Sequence, residues 1–188
     1  YNTIGLQLSE MQTNYKNMAM NVAKYGGFYV GRYETSLSDA NASSAGTTGT
    51  AQSKQGVIPT SANNSATYRW YGLYQAQKTY ADGNSSVESS MIWGSQYDAV
   101  MNWMAKQGID VGSKNENKTN KTEITGKYIT DVLNNIYDLY GAHKECTIEG
   151  NSNNQRSTRG GVYDGIYSPA NRYSNNTVLP DQTGVGNN

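Results

Sequence analysis

"MIWGSQYDAVMNWMAKQG", residues 91–108, is the stretch from which the fold can be built outward. Tyr97, Val100, Met101 and Met104 stand at i, i+3, i+4 and i+7, which places them on one face of a helix. Ser95 is positioned to cap its start and Gly108 to end it. Met, Trp and Tyr at this spacing read as packing against a core and not as a cofactor motif.

Upstream, "LSEMQTNYKNMAMNVAKYGG" (8–27) predicts a second main helix. Ser9 and Gln12 have the spacing of a capping box, and Met11, Tyr15, Met18, Val22 and Tyr25 form one apolar stripe. Gly26-Gly27 stops it. "FYVGRYET" (28–35), aromatic and β-branched, predicts a strand, and "RWYGLYQAQKTYA" (69–81) a short helix ending near Asp82-Gly83. Residues 36–67, mostly Ser, Ala, Thr, Gly and Asn, predict a long surface excursion of low order, and "GSKNENKTNKTEITGK" (112–127) a solvated loop. "YITDVLNNIYDLYG" (128–141) offers an apolar turn before Gly141, after which the helical period vanishes into short glycine-punctuated pieces. Helices first and irregular strands afterwards make an α+β fold. Two main helices, short irregular β-strands and long loops would form a single domain over 1–188.

The core must be aromatic. Apolar residues are 36% of the chain and mean hydropathy is −0.75, but there are 16 Tyr and 3 Trp against one Phe. Each such ring can bury roughly 150–250 Å². Lys+Arg and Asp+Glu balance at 15 each, which removes the electrostatic case for a nucleic-acid partner. No apolar run approaches the roughly 20 residues that span a bilayer. Tyr1 in place of an initiator Met leaves room for a processed leader or anchor. Six Asn-x-Ser/Thr sequons are what this much Asn, Ser and Thr produces by chance.

Catalytic chemistry finds little support. His143 is the only histidine, so no multi-His metal centre can be built, and no metal or cofactor is expected. Cys146 is the only cysteine, so no intrachain disulfide forms. A Cys146–His143 dyad would need a helix there, against Gly141 and Thr147. "IWGSQYD" has one glycine of a nucleophile elbow and lacks the other, and "YGGFYVGRY" has neither phosphate-loop nor dinucleotide-loop spacing. Glu145 and Glu149 could pair for acid–base work, although nothing in the sequence brings them together. The chain reads as non-enzymatic.

Four blocks in order carry a resemblance: "YGGFYVGRYETS" (25–36), "MIWGSQYDAVMNWM" (91–104), "NNIYDLYGAHKECT" (134–147) and "RGGVYDGIYSPANR" (159–172). Together they resemble the formylglycine-generating-enzyme-like, or sulfatase-modifying-factor-like, version of the C-type lectin fold. The nearest likeness is to its bacterial and phage members that serve as variable proteins of diversity-generating retroelements. Ala142 and Cys146 stand where that family has Asn and Trp, and its closing strand, an Arg followed by alternating apolar residues, finds no match before Asn188. The family's oxidases use a pair of cysteines, so the resemblance implies the scaffold without the oxidase activity.

The resemblance also gives meaning to "STRGGVYDGIYSPANRYSNNTVLPDQTG" (157–184), which by composition alone would be a disordered tail. Tyr163, Tyr167, Pro169 and Tyr173 argue against full disorder. Retroelement-diversified proteins rewrite adenines, with Asn codons as preferred targets, and such codons never become Lys, Glu, Gln, Met or Trp. None of those five types occurs in 162–181. Tyr supplies rigid contact area and Ser, Gly and Asn adaptable hydrogen bonds, as in antibody paratopes. The exposed ligand contacts are expected to be Tyr163, Asp164, Tyr167, Ser168, Asn171, Tyr173, Asn175 and Asn176, in a variable region over 157–188. Arg159, Gly160 and Gly161 are expected to hold the turn, and Ala142 and His143 are further candidates for the varied set.

The function expected is a receptor- or adhesin-type binding domain, extracellular, on a bacterial cell surface or a phage particle. The resemblance implies a protein ligand ahead of a glycan, and "LPDQ" (179–182) is only a partial echo of a calcium-dependent sugar motif. The alternatives are a relative of the formylglycine-generating oxidase and an invariant structural module of a pilus or phage particle.

Overall fold

The computed structural model describes residues 2–3, 6–38, 49–60, 70–80, 84–113, 115–116, 124–141, 143–150, 156–161 and 166–174. The first half contains β1 (Asn2–Thr3), β2 (Leu6–Gln7), α1 (Leu8–Tyr25), β3 (Thr35–Leu37), β4 (Ala51–Ser53), α2 (Trp70–Gln77) and α3 (Gly94–Lys106). The second half contains β5 (Asn115–Glu116), a 3-10 turn (Ile129–Asp131), β6 (Val132–Leu133), β7 (Ile136–Tyr137), β8 (Glu145–Gly150), β9 (Arg156–Arg159), β10 (Ile166–Tyr167) and β11 (Arg172–Ser174). All pairings are antiparallel: β1 with β2, β3 with β4, β6 with β7, β10 with β5, and a three-stranded sheet in the order β11-β9-β8. The layout is α+β.

Helix α3 buries Tyr97, Val100, Met101 and Met104, the four side chains picked out by their spacing, against Leu139. Phe28, Leu133 and Ala170 close around them. Its start differs from the expected Ser95 cap. The N-cap is Trp93, whose N–H donates to Gln96 Oε1 at 3.0 Å. Gly94 is the first helical residue, and a Cβ there would lie 2.5 Å from Glu149 Oε2, so the helix start lies against β8. A second cluster joins Trp70, Leu73 and Tyr74 of α2 to Leu6, Met91, Trp93 and Ile148. Trp70 Nε1 donates to the Thr147 carbonyl at 2.7 Å, and the buried Arg156 guanidinium lies 4.0 Å from the Trp70 ring centroid.

Helix α1 is less embedded than its stripe predicts. None of its side chains is buried. Met11 and Met18 pack in part on the second cluster, Tyr15 meets Trp93 edge-on at 5.1 Å, and Tyr25 is 70% exposed. Asn14 and Asn21 share the inner side, donating to Tyr74 Oη (2.5 Å) and Glu88 Oε2 (2.9 Å). The Ser9–Gln12 capping box does not form, because the helix runs straight on from β2 with Gln7 as an extended N-cap. Gly26 does end it, in the left-handed region at φ +78.

The strand expected over 28–35 is realised only from Thr35. Side chains replace a ladder before it: Tyr33 N–H donates to Ser53 Oγ (2.9 Å), Ser53 Oγ donates to the Tyr33 carbonyl (2.9 Å), and Glu34 N–H donates to Thr125 Oγ1 (3.2 Å). Tyr33 itself stacks on Tyr137 at 5.0 Å. The low-order excursion is also corrected in part, since Val57 and Ile58 are buried and β4 lies within it. In the same way Thr125, inside the stretch expected to be a solvated loop, is fully buried. Asn134 (φ 46) and Asn135 (φ 67) form the two-residue turn between β6 and β7, both in the left-handed region that Asn tolerates. Among the described residues no helix is long and apolar enough to cross a membrane.

Candidate ligand-binding face

The β11-β9-β8 sheet sets the geometry. Its register places Glu145, Arg159 and Arg172 on one rung and Cys146, Thr158 and Tyr173 on the next. Directly opposed residues share a sheet face and neighbouring rungs point to opposite faces. The first rung turns toward α3: Arg159 bonds Asp98, approaches Glu149 at 3.6 Å and lies 5.0 Å from the Tyr97 ring centroid. Arg172 bonds Glu149.

Immediately after β9 the chain turns through Gly160 and Gly161. Gly160 has φ +72, and its N–H donates to the Asn171 carbonyl at 3.1 Å. Gly161 N–H donates to the Leu139 carbonyl at 3.1 Å, and a Cβ at Gly161 would lie 1.8 Å from the Tyr140 carbonyl oxygen. Only glycine lets these two backbones pass. The turn therefore joins the 139–141 segment to the segment that carries the face.

On the opposite side of the sheet the second rung is extended by Lys144, two residues before Cys146. Tyr167 and Tyr173 meet edge to face with centroids 5.8 Å apart and planes at 79°. Lys144 Nζ sits 4.1 Å from the Tyr173 centroid and 6.0 Å from that of Tyr167. Ser168 Oγ donates to Asn171 Oδ1 (3.1 Å), and Asn171 Nδ2 donates to Tyr173 Oη (2.7 Å). Burial raises the Tyr173 phenol above its usual range, with the Asn171 bond opposing it.

Four expected contacts thus fall in one cluster, but they are not equally available. Tyr167, Asn171 and Tyr173 are half-buried. Ser168, expected on the surface, is 5% exposed, because the 168–171 turn is pulled inward: Tyr97 Oη donates to the Pro169 carbonyl at 2.8 Å and Ala170 N–H to the Val111 carbonyl at 3.1 Å. Its place is as a hydrogen-bond support for Asn171 and not as a contact. Tyr163, Asp164, Asn175, Asn176 and Ala142 lie outside the described residues. His143 is half-buried, and its N–H donates to Glu34 Oε1 at 3.1 Å. Lys144 escaped the sequence reading. Its signal was the alternation with Cys146, which becomes visible only once 145–150 is known to be a strand.

Two further features lie outside this face. Glu34, Asp131, Asp138 and Glu145 lie close enough to feel one another's charge. Burial raises all four, most strongly Glu34 and Glu145, and neighbouring carboxylates add to it, except at Asp138, where only burial raises it. Asp138 Oδ2 accepts from Thr125 Oγ1 (2.5 Å) and Gly126 N–H (2.9 Å). Among the described residues no group of His, Cys, Asp and Glu is arranged to hold a metal ion. The second feature is an open cleft of about 790 Å³ between α1, α2 and the segment before α3, lined by Met18, Phe28, Tyr74 and Glu88 among others. Cys146 packs against the second cluster, and burial pushes its thiol up to about 12, with Glu145 adding to the shift.

No family model, curated protein or solved structure matches the chain.

Proposed function

We propose that the chain is a non-enzymatic binding domain of the C-type-lectin-like kind, whose partner surface is the C-terminal face around Tyr167 and Tyr173. The observation that carries this reading is that tyrosine pair, Tyr167 on β10 meeting Tyr173 on β11 at 79° and backed by the Arg159-Gly160-Gly161 turn. Half-exposed aromatic rings with a polar tip, fixed in place before any partner arrives, are what efficient recognition surfaces use. Three of the residues expected to vary in a retroelement-diversified protein, Tyr167, Asn171 and Tyr173, meet there, which supports placing the chain among such proteins, on a bacterial surface or phage particle with a protein ligand. The high Cys146 thiol weighs against a thiol-oxidase role, since the thiolate is the reactive form.

The test is to sequence this gene from sibling isolates. Differences should be confined to adenine-derived codons after about residue 142, with a reverse transcriptase gene and a near-copy template close by. Scattered, synonymous-rich substitutions would replace this reading with that of an invariant structural module.

A further inference from the structure

We propose that the Tyr167–Tyr173 face receives a carboxylate from an acidic protein segment, with Lys144 Nζ and the Tyr173 hydroxyl as the two donors. This rests on reading the face as a binding surface and names the chemistry of what binds there.

The described cations differ in what they meet. Lys78, Arg159 and Arg172 each meet a carboxylate: Glu10 for the first, Asp98 and Glu149 for the second, Glu149 for the third. Lys144 meets none among the described residues. Its ammonium lies instead over the Tyr173 ring at 4.1 Å. The reason is the alternation of the sheet. Glu145 belongs to the rung that faces α3, and Lys144 belongs to the opposite side. An ammonium partly withdrawn from water between two rings, without a counter-charge, gains more from an incoming anion than a solvated lysine does.

The hydrogen-bond chain gives a second, independent direction. Ser168 donates to Asn171 Oδ1, which turns Asn171 Nδ2 toward Tyr173 Oη. That oxygen accepts, so its own proton is left to be donated outward. Lys144 carries only donors. The face thus offers donors at both positions, which suits a group made only of acceptors. The ring geometry favours a protein carboxylate over a sugar acid. A pyranose stacks on an open ring face, whereas Lys144 covers one face of Tyr173 and the two rings meet edge to face at 79°.

The experiment is a side-chain NMR titration of the full chain with three probes: blocked octaglutamate, blocked octaglutamine and an oligogalacturonate of matching length. Octaglutamate should shift the Lys144 Nζ/Cε and Tyr173 ring signals saturably, and added salt should weaken the response. Lys144→Met and Tyr173→Phe should each weaken it roughly tenfold. Tyr173→Phe keeps the ring and its packing, so an unchanged amide spectrum shows that the loss is not misfolding. No saturable shift, an equal response to octaglutamine, or no loss in either variant would overturn the proposal. A stronger response to oligogalacturonate would also overturn it, in favour of an acidic glycan. Silence with octaglutamate alongside adenine-confined variation in siblings would leave the binding face standing and remove only the carboxylate.

Discussion

Asp131 keeps one carboxylate oxygen, Oδ1, on the Tyr140 N–H at 3.3 Å, while Oδ2 has no hydrogen-bond partner among the described residues. Burial raises this carboxyl to about 6 from an ordinary 3.8. A raised folded-state value means that the native chain holds its proton longer than the unfolded chain does. The stability this contributes is complete below about pH 4 and is lost as pH rises through about 6, a loss of up to about 3 kcal/mol by pH 8. Glu34 and Glu145 shift in the same direction. Asp131→Asn keeps the acceptor and removes the charge, so urea midpoints at pH 4 and pH 8 should lie closer together in the variant, with the gain at pH 8. Equal pH dependence in both proteins would show that Asp131 ionises freely in the fold. Arg156 is the opposite case, a buried cation whose value falls to about 10 through burial. It is held by the Ile148 carbonyl at 2.6 Å and by the Trp70 ring. Arg156→Ala removes the stacking and leaves that carbonyl unmet, with an expected loss of about 3 kcal/mol in urea denaturation.

At the scale of elements, local pattern and long-range pairing separate cleanly. Helix α3 was legible because its four buried side chains repeat with the helix, and packing on Leu139 and Phe28 agrees with that period. The 28–34 segment was not, because aromatic residues announce burial without saying whether a neighbouring strand supplies the hydrogen bonds. There the partners are Ser53 and Thr125 side chains from distant positions. The two left-handed turn residues between β6 and β7 allow a direct test. Asn135→Gly should leave Tm nearly unchanged, whereas Asn135→Val should cost about 1–2 kcal/mol, because a β-branched residue resists positive φ. Gly161→Ala is the severer change. Its added carbon would meet the Tyr140 carbonyl, so a loss of about 2–3 kcal/mol is expected, together with loss of the Lys144–Tyr173 contact by NMR.

For the molecule as a whole, the tyrosines of the face could be read from composition, but Lys144 could not. It lies 29 positions before Tyr173, and only the β8-β9-β11 pairing brings the two together. The weight of the structure is also uneven. Helix α1 buries no side chain and leans on bonds such as Asn14–Tyr74 and Asn21–Glu88, beside the open cleft. Hydrogen exchange should therefore release α1 amides well before those of α3. Protection of both helices to the same degree would show that they open together. The sheet behaves otherwise. Tyr173 rides on a strand whose one neighbour, β9, is fixed to α3 through Arg159, and its ring meets that of Tyr167 at 5.8 Å. If the face binds a partner as proposed, little ordering entropy is left to be lost at encounter, and changes to it should alter residence time far more than the rate of arrival.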